Sequence, residues 1–213
     1  MTGGFVQFVT FVGEQEDRTN ARLPPPIVIV RLEDLTMETR ETGQPFKRLF
    51  VAVDCEAPQR REIARFRHAL DARCGKPVPP GQFHLTLLFL GDVDSQQVPA
   101  VCAAIEGVSR PPAMRLVLDR LAVWQRPGVL VLESPDAPPA LRRLAYDLQQ
   151  AVLPWVPQPP AQEYRPHLTL MREFRGQVPE AASAPAFWLK VRQFTLFESY
   201  KGRYLPLADW PLG

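Results

Sequence analysis

His84-Leu85-Thr86-Leu87 and His167-Leu168-Thr169-Leu170 are the same tetrapeptide, met twice in one chain of 213 residues. Each copy lies in a run that reads as a β-strand: Phe83 to Leu90, ending at Gly91, and Tyr164 to Arg172. Side chains alternate along a strand, so His84 and Thr86 share one face while Leu85 and Leu87 pack on the other. His167 and Thr169 stand in the same relation to Leu168 and Leu170. A helical pattern precedes each copy. Such a half-chain repeat predicts two similar lobes, related by an approximate two-fold axis, with a cleft that receives both imidazoles and both hydroxyls.

Working outward, Leu49-Phe50-Val51-Ala52-Val53 reads as a short buried strand, and Ala57 to Arg73 as a helix with Ile63, Phe66 and Leu70 on one face. Gln96 to Val108 is a second helix. Met114 to Trp124 and Gly128 to Leu132 form two strands joined by a turn around Arg126-Pro127-Gly128. Pro138 to Leu153 is the clearest helix, with Leu141, Leu144, Ala145, Leu148 and Val152 along one stripe. Phe187 to Glu198 and Tyr204 to Leu207 read as the closing strands.

Residues 1–46 differ from this pattern and are expected to be an N-terminal extension, with the domain proper spanning 47–213. Phe5 to Val12 and Ile27 to Leu32 are rich in strand formers but are separated by a polar stretch and Pro24-Pro25-Pro26. Translation from Met37 would remove the extension without touching either motif. The N-terminus has no basic segment followed by an apolar core, and no apolar run approaches a membrane span. Three cysteines, Cys55, Cys74 and Cys102, are an odd number without a CxxC pair, which argues against a disulfide framework and a thiolate zinc site. A cytoplasmic protein is expected. The net charge of +2 provides no global field for duplex DNA, though a local basic site could still hold a polyanion.

Two histidines and two threonines on facing strands suit phosphodiester chemistry without a metal. Imidazole titrates near neutrality, so one ring can accept a proton from water while the other donates one to a departing oxygen. Threonine hydroxyls can donate to non-bridging oxygens as charge builds on them. Arg172, five residues after His167, is a candidate phosphate clamp, with a surface salt bridge as its bland alternative. One His-x-Thr in a strand would be an ordinary solvated sheet face; two in identical context are not. Of the three histidines, His68 lies among arginines on the first helix and reads as a surface residue. Catalytic zinc normally takes three protein ligands, and neither HExxH nor a similar spacing is present. No metal and no cofactor are expected.

From Arg48 to Leu212 the chain resembles the 2H phosphoesterases, most closely the bacterial RNA 2′,3′-cyclic phosphodiesterases, also called 2′-5′ RNA ligases. The resemblance rests on four ordered blocks: Arg48 to Asp54, Phe83 to Gly91, Arg165 to Arg172, and Phe194 to Ser199 with Tyr204 to Leu207. It implies a bilobal α+β fold with two antiparallel sheets lining a cleft and helices on the outer faces. It also implies hydrolysis of RNA 2′,3′-cyclic phosphate ends to 2′-phosphates, with His84 as proton donor, His167 as proton acceptor, and Thr86, Thr169 and Arg172 binding phosphate. With a 5′-hydroxyl attacking the cyclic phosphate in place of water, the same chemistry is an ATP-independent 2′-5′ ligation. The segment Gly128 to Ser134 lacks a tryptophan often found there in the family, so Phe50 and Trp124 become the candidates for stacking on a base. The expected partner is RNA with cyclic phosphate ends, tRNA fragments among the candidates, bound by a monomer. A small cyclic nucleotide or sugar cyclic phosphate is the alternative substrate. A non-catalytic RNA-binding module is the alternative of another class, and it predicts damaged motifs where both are intact.

Overall fold

The computed structural model of the protein describes residues 45–70, 72, 74–156 and 164–213. The strand patterns at Phe5–Val12 and Ile27–Leu32 and the alternative start at Met37 lie outside the described residues. In chain order the elements are β1 (Phe46–Asp54), α1 (Ala57–Ala69), β2 (Lys76–Pro77), β3 (His84–Asp94), α2 (Val98–Glu106), β4 (Met114–Leu118), β5 (Arg120–Trp124), β6 (Val129–Glu133), α3 (Pro139–Val152), β7 (His167–Arg172), β8 (Phe187–Val191), β9 (Gln193–Tyr200) and β10 (Arg203–Pro211).

The fold is α+β and its paired strands are antiparallel. Where two sheets were expected to line the cleft, hydrogen bonding joins both halves into one sheet in the order β10-β9-β1-β3-β7-β6-β5. The halves meet at a narrow seam. β3 and β7 share a single registered pair, Leu85 with Leu168, and β2 then takes over the edge of β7 at Met171 and Arg172. Across this seam the Tyr164 hydroxyl donates to the Thr86 carbonyl at 3.0 Å. The runs read as Met114–Trp124 and Phe187–Glu198 each break in two, at Asp119 and at Arg192. Their first parts, β4 and β8, leave the main sheet and pair with each other. A polar residue interrupts the apolar alternation at both breaks.

Register assigns each motif residue to a face. In β1, Phe50, Ala52 and Asp54 alternate without interruption, but β3 slips against it. Ala52 pairs with Thr86 and Val51 with Leu88, so Leu87 has no opposite number. β7 slips at the same place in its own motif: Val131 pairs with Thr169 and Leu130 with Met171, leaving Leu170 unopposed. One extra residue reverses the alternation beyond it. Phe89 therefore returns to the face of His84 and Thr86, opposite Phe50. Arg172 likewise returns to the face of His167 and Thr169, opposite Val129.

The other face carries the core. Leu49, Val51, Val53, Leu85, Leu88, Leu130, Leu132, Leu168 and Met171 are buried there. They form one apolar cluster with Ile63 of α1, Val101 and Ile105 of α2, and Leu141, Leu144, Leu148 and Val152 of α3. The α3 stripe is buried as its periodicity predicts. α1 ends at Ala69, four residues before the expected Arg73, because Leu70 turns extended (ψ 133°). Its first turn is closed by Gln59, whose Oε1 accepts from the Glu56 amide at 3.1 Å.

Candidate active site

Each histidine is held by its own strand entry. His84 Nδ1 lies 2.7 Å from the carbonyl of Gln82, and His167 Nδ1 lies 2.8 Å from the carbonyl of Arg165. A carbonyl only accepts, so Nδ1 carries the hydrogen in both rings and Nε2 is the nitrogen left for chemistry. Leu85 and Leu168 are fully buried on the core side of the seam, which puts both imidazoles on the opposite face. The antiparallel pairing sets His84 towards Thr169 and Thr86 towards His167. The two histidines thus take diagonal positions, separated by about 7–8 Å between neighbouring strands.

Both imidazoles have their pKa lowered from the ordinary 6.5. For His84 burial is the main cause, reinforced by the positive charges of Arg172 and His167 and opposed by the Gln82 carbonyl and Asp54. For His167 burial again leads, with the Arg165 charge pushing the same way and the Arg165 carbonyl and Glu133 pushing back.

Thr86, Thr169 and Arg172 share this face. Arg172 is exposed and donates from Nη2 to the Tyr204 hydroxyl at 2.6 Å. The Tyr204 ring stands edge-on to His84, with centroids 5.2 Å apart. Phe50 corrects an expectation. It is 4% exposed, covered by His84, Phe197 and Tyr204 with centroids at 5.1, 5.3 and 4.9 Å. A ring packed on these sides braces His84 and has no open face for a base. Its cross-strand partner Phe89 is 64% exposed. Trp124, the other stacking candidate, lies against His167 with centroids 4.2 Å apart.

Sequence reasoning missed the polar framework beside His167. Glu133 ends the otherwise apolar strand β6 as cross-strand partner of both His167 and Arg120. Its carboxylate accepts from Arg120 Nε and Trp124 Nε1, each at 2.6 Å, and pairs with Arg165. A lone acidic residue closing an all-apolar strand was the available signal. Tyr164 and Tyr204 gave none, since their roles depend on partners distant in sequence.

The three cysteines are free, and the buried Cys55 thiol is pushed up to about 12, chiefly by burial and further by Asp54. Among the described residues no group of three or more His, Cys, Asp or Glu side chains gathers as a cation would require. No helix among them is long and apolar enough to cross a membrane. His68 is exposed on α1.

An open antiparallel sheet that holds two tethered imidazoles and two threonines over one face defines a two-histidine class of anion-handling protein. Residues 53–131 match the family described as LigT-like phosphoesterase. The chain is 32% identical over 173 residues to the RNA 2′,3′-cyclic phosphodiesterase of Escherichia coli strain K12, covering 78% of this chain and 97% of that protein. It is 30% identical over 131 residues to the Bacillus subtilis strain 168 protein of the same name, covering 58% and 71%. The crystal structure of E. coli LigT complexed with 3′-AMP superposes with a TM-score of 0.70 at 31% identity, over 78% of this chain and 98% of that one. The chain belongs to the LigT-like phosphoesterases of the 2H superfamily.

Proposed function

We propose that this chain hydrolyses 2′,3′-cyclic phosphate ends of RNA to 2′-phosphates, with no metal ion. His167 Nε2 takes a proton from water as its oxygen bonds to phosphorus. His84 Nε2 gives a proton to the 3′-oxygen as the P–O3′ bond breaks. The Thr86 and Thr169 hydroxyls donate to the non-bridging oxygens, and Arg172 supplies positive charge beside them. One observation carries this reading: both Nδ1 atoms are tethered to the carbonyl two residues earlier, leaving two Nε2 atoms on a shared face. The names of the E. coli and B. subtilis relatives support the substrate class.

Residues 47–213 are the catalytic domain in this reading, monomeric and cytoplasmic, with an approximate two-fold axis at the Leu85–Leu168 pair. Attack by an RNA 5′-hydroxyl on the same cyclic phosphate gives a 2′-5′ linkage. Direction then depends on water against RNA-end concentration, because the strained ring supplies the driving force both ways.

The test is an end-group assay on a short RNA bearing a 2′,3′-cyclic phosphate, with EDTA present. Conversion to the 2′-phosphate is expected, with His84→Ala and His167→Ala each slowed by about 10²–10⁴. A 3′-phosphate product would overturn the donor assignment. Activity lost in chelator and restored by zinc would overturn the metal-free mechanism.

A further inference from the structure

The acid–base step leaves Glu133 unused, yet its carboxylate is the most heavily bonded acid near the site. The side chain is 3% exposed and meets two guanidiniums and an indole N–H. One arginine suffices to pair a buried carboxylate. Two leave an excess positive charge, and both arginines are half-exposed, Arg120 at 53% and Arg165 at 52%. Each is tied to Glu133 and keeps about half of its surface open to solvent. The Arg165 guanidinium also lies 4.7 Å from the centre of the Trp124 ring, which itself rests on His167. The cations are therefore fixed relative to the reacting imidazole. Arg120, Glu133 and His167 are cross-strand partners in one row, so Arg120 begins two strands from His167, about 10 Å at ~4.8 Å per strand. Its guanidinium is tied to Glu133 on the intervening strand.

We propose that Arg120 and Arg165, fixed by Glu133 and Trp124, form a second anion subsite that takes the internucleotide phosphate next to the cyclic end. The subsite deepens the RNA reading above and rests on it. A mononucleoside cyclic phosphate cannot fill it; a longer RNA does. Chain length thereby becomes a specificity determinant read by two guanidiniums, with no base identified.

The experiment compares kcat/KM for a mononucleoside 2′,3′-cyclic phosphate with that for an oligonucleotide ending in the same nucleotide, in wild type and Arg120→Gln. Glutamine keeps a donor for Glu133 and removes the charge. Wild type should favour the oligonucleotide by about ten-fold or more, as expected for a phosphate held by charge-assisted bonds. Arg120→Gln should lose most of that preference while changing mononucleotide turnover less than about two-fold. Its salt dependence on the oligonucleotide should fall by about 0.7 in log–log slope, one phosphate contact on a single strand. Arg120→Lys should recover part of the loss. An equal loss on both substrates, or on neither, would overturn the subsite. Anisotropy binding of a 2′-phosphate-ended oligonucleotide decides the matter without turnover: affinity unchanged by Arg120→Gln refutes the subsite. Hydrolysis of neither substrate by wild type would instead strike the phosphodiesterase reading, while the binding comparison still decides this one.

Discussion

The tethers on His84 and His167 leave Nε2 of each ring open, and the lowered pKa values set the pH dependence that the proposed mechanism predicts. The proposed mechanism needs His84 protonated and His167 neutral. Both equilibria lie below 6.5 in the folded protein, chiefly through burial. As pH falls, His167 gains a proton and the acid limb appears; as pH rises, His84 loses its proton and the alkaline limb appears. The bell in kcat/KM is therefore expected to peak below 6.5. An anionic phosphate between the rings favours imidazolium, so the kcat profile should move to higher pH than the kcat/KM profile. A kcat/KM optimum above neutrality would contradict the burial argument. That the histidines and threonines share one face was legible because the tetrapeptide recurs whole. Phe50 was misread because an aromatic in a strand looks the same whether it faces a base or braces a neighbour.

At the scale of elements, a glycine positions β7. Gly75 has φ +88°, and a Cβ placed there would stand 2.9 Å from the Arg172 carbonyl and 3.1 Å from the Phe174 ring. Gly75→Ala should cost about 1–3 kcal/mol and also lower kcat/KM, because backbone that carries Arg172 must move. Gly202 has φ +75° in open space. Gly202→Ala is the control: about 1–2 kcal/mol from the left-handed backbone, with turnover kept. Urea midpoints and initial rates on both variants check this, and full activity in Gly75→Ala would detach Arg172 from the loop. Helix α3 was legible to its last buried residue because a periodic stripe needs no partner to be read. The breaks at Asp119 and Arg192 and the slips at Leu87 and Leu170 were not, since register belongs to a pair of strands.

Among the described residues, one apolar core underlies a sheet whose halves share a single registered pair above it. Unfolding should therefore follow one transition, while the seam opens more readily than the core. The Tyr164 hydroxyl, buried and with its ionisation pushed up by that burial, is a side-chain tie over the seam. Tyr164→Phe should lower stability by about 0.5–1.5 kcal/mol. It should also speed amide exchange around Leu85 and Leu168 more than between β1 and β9, as hydrogen exchange would read. Uniform exchange changes would mean that the tie is incidental. The antiparallel α+β character was legible in the strand and helix patterns; the continuity of the sheet was not, because sequence shows which strands exist and not how closely two of them approach.

The slips at Leu87 and Leu170 also limit transplantation. Copying His167 to Arg172 onto a regular strand of another protein would carry over imidazole and hydroxyl, but the guanidinium five positions after the histidine would emerge on the wrong side, as would the Phe89 ring if His84 to Phe89 were copied. A donor fragment must bring its neighbouring strand, with the mismatch in count, for the set to travel together.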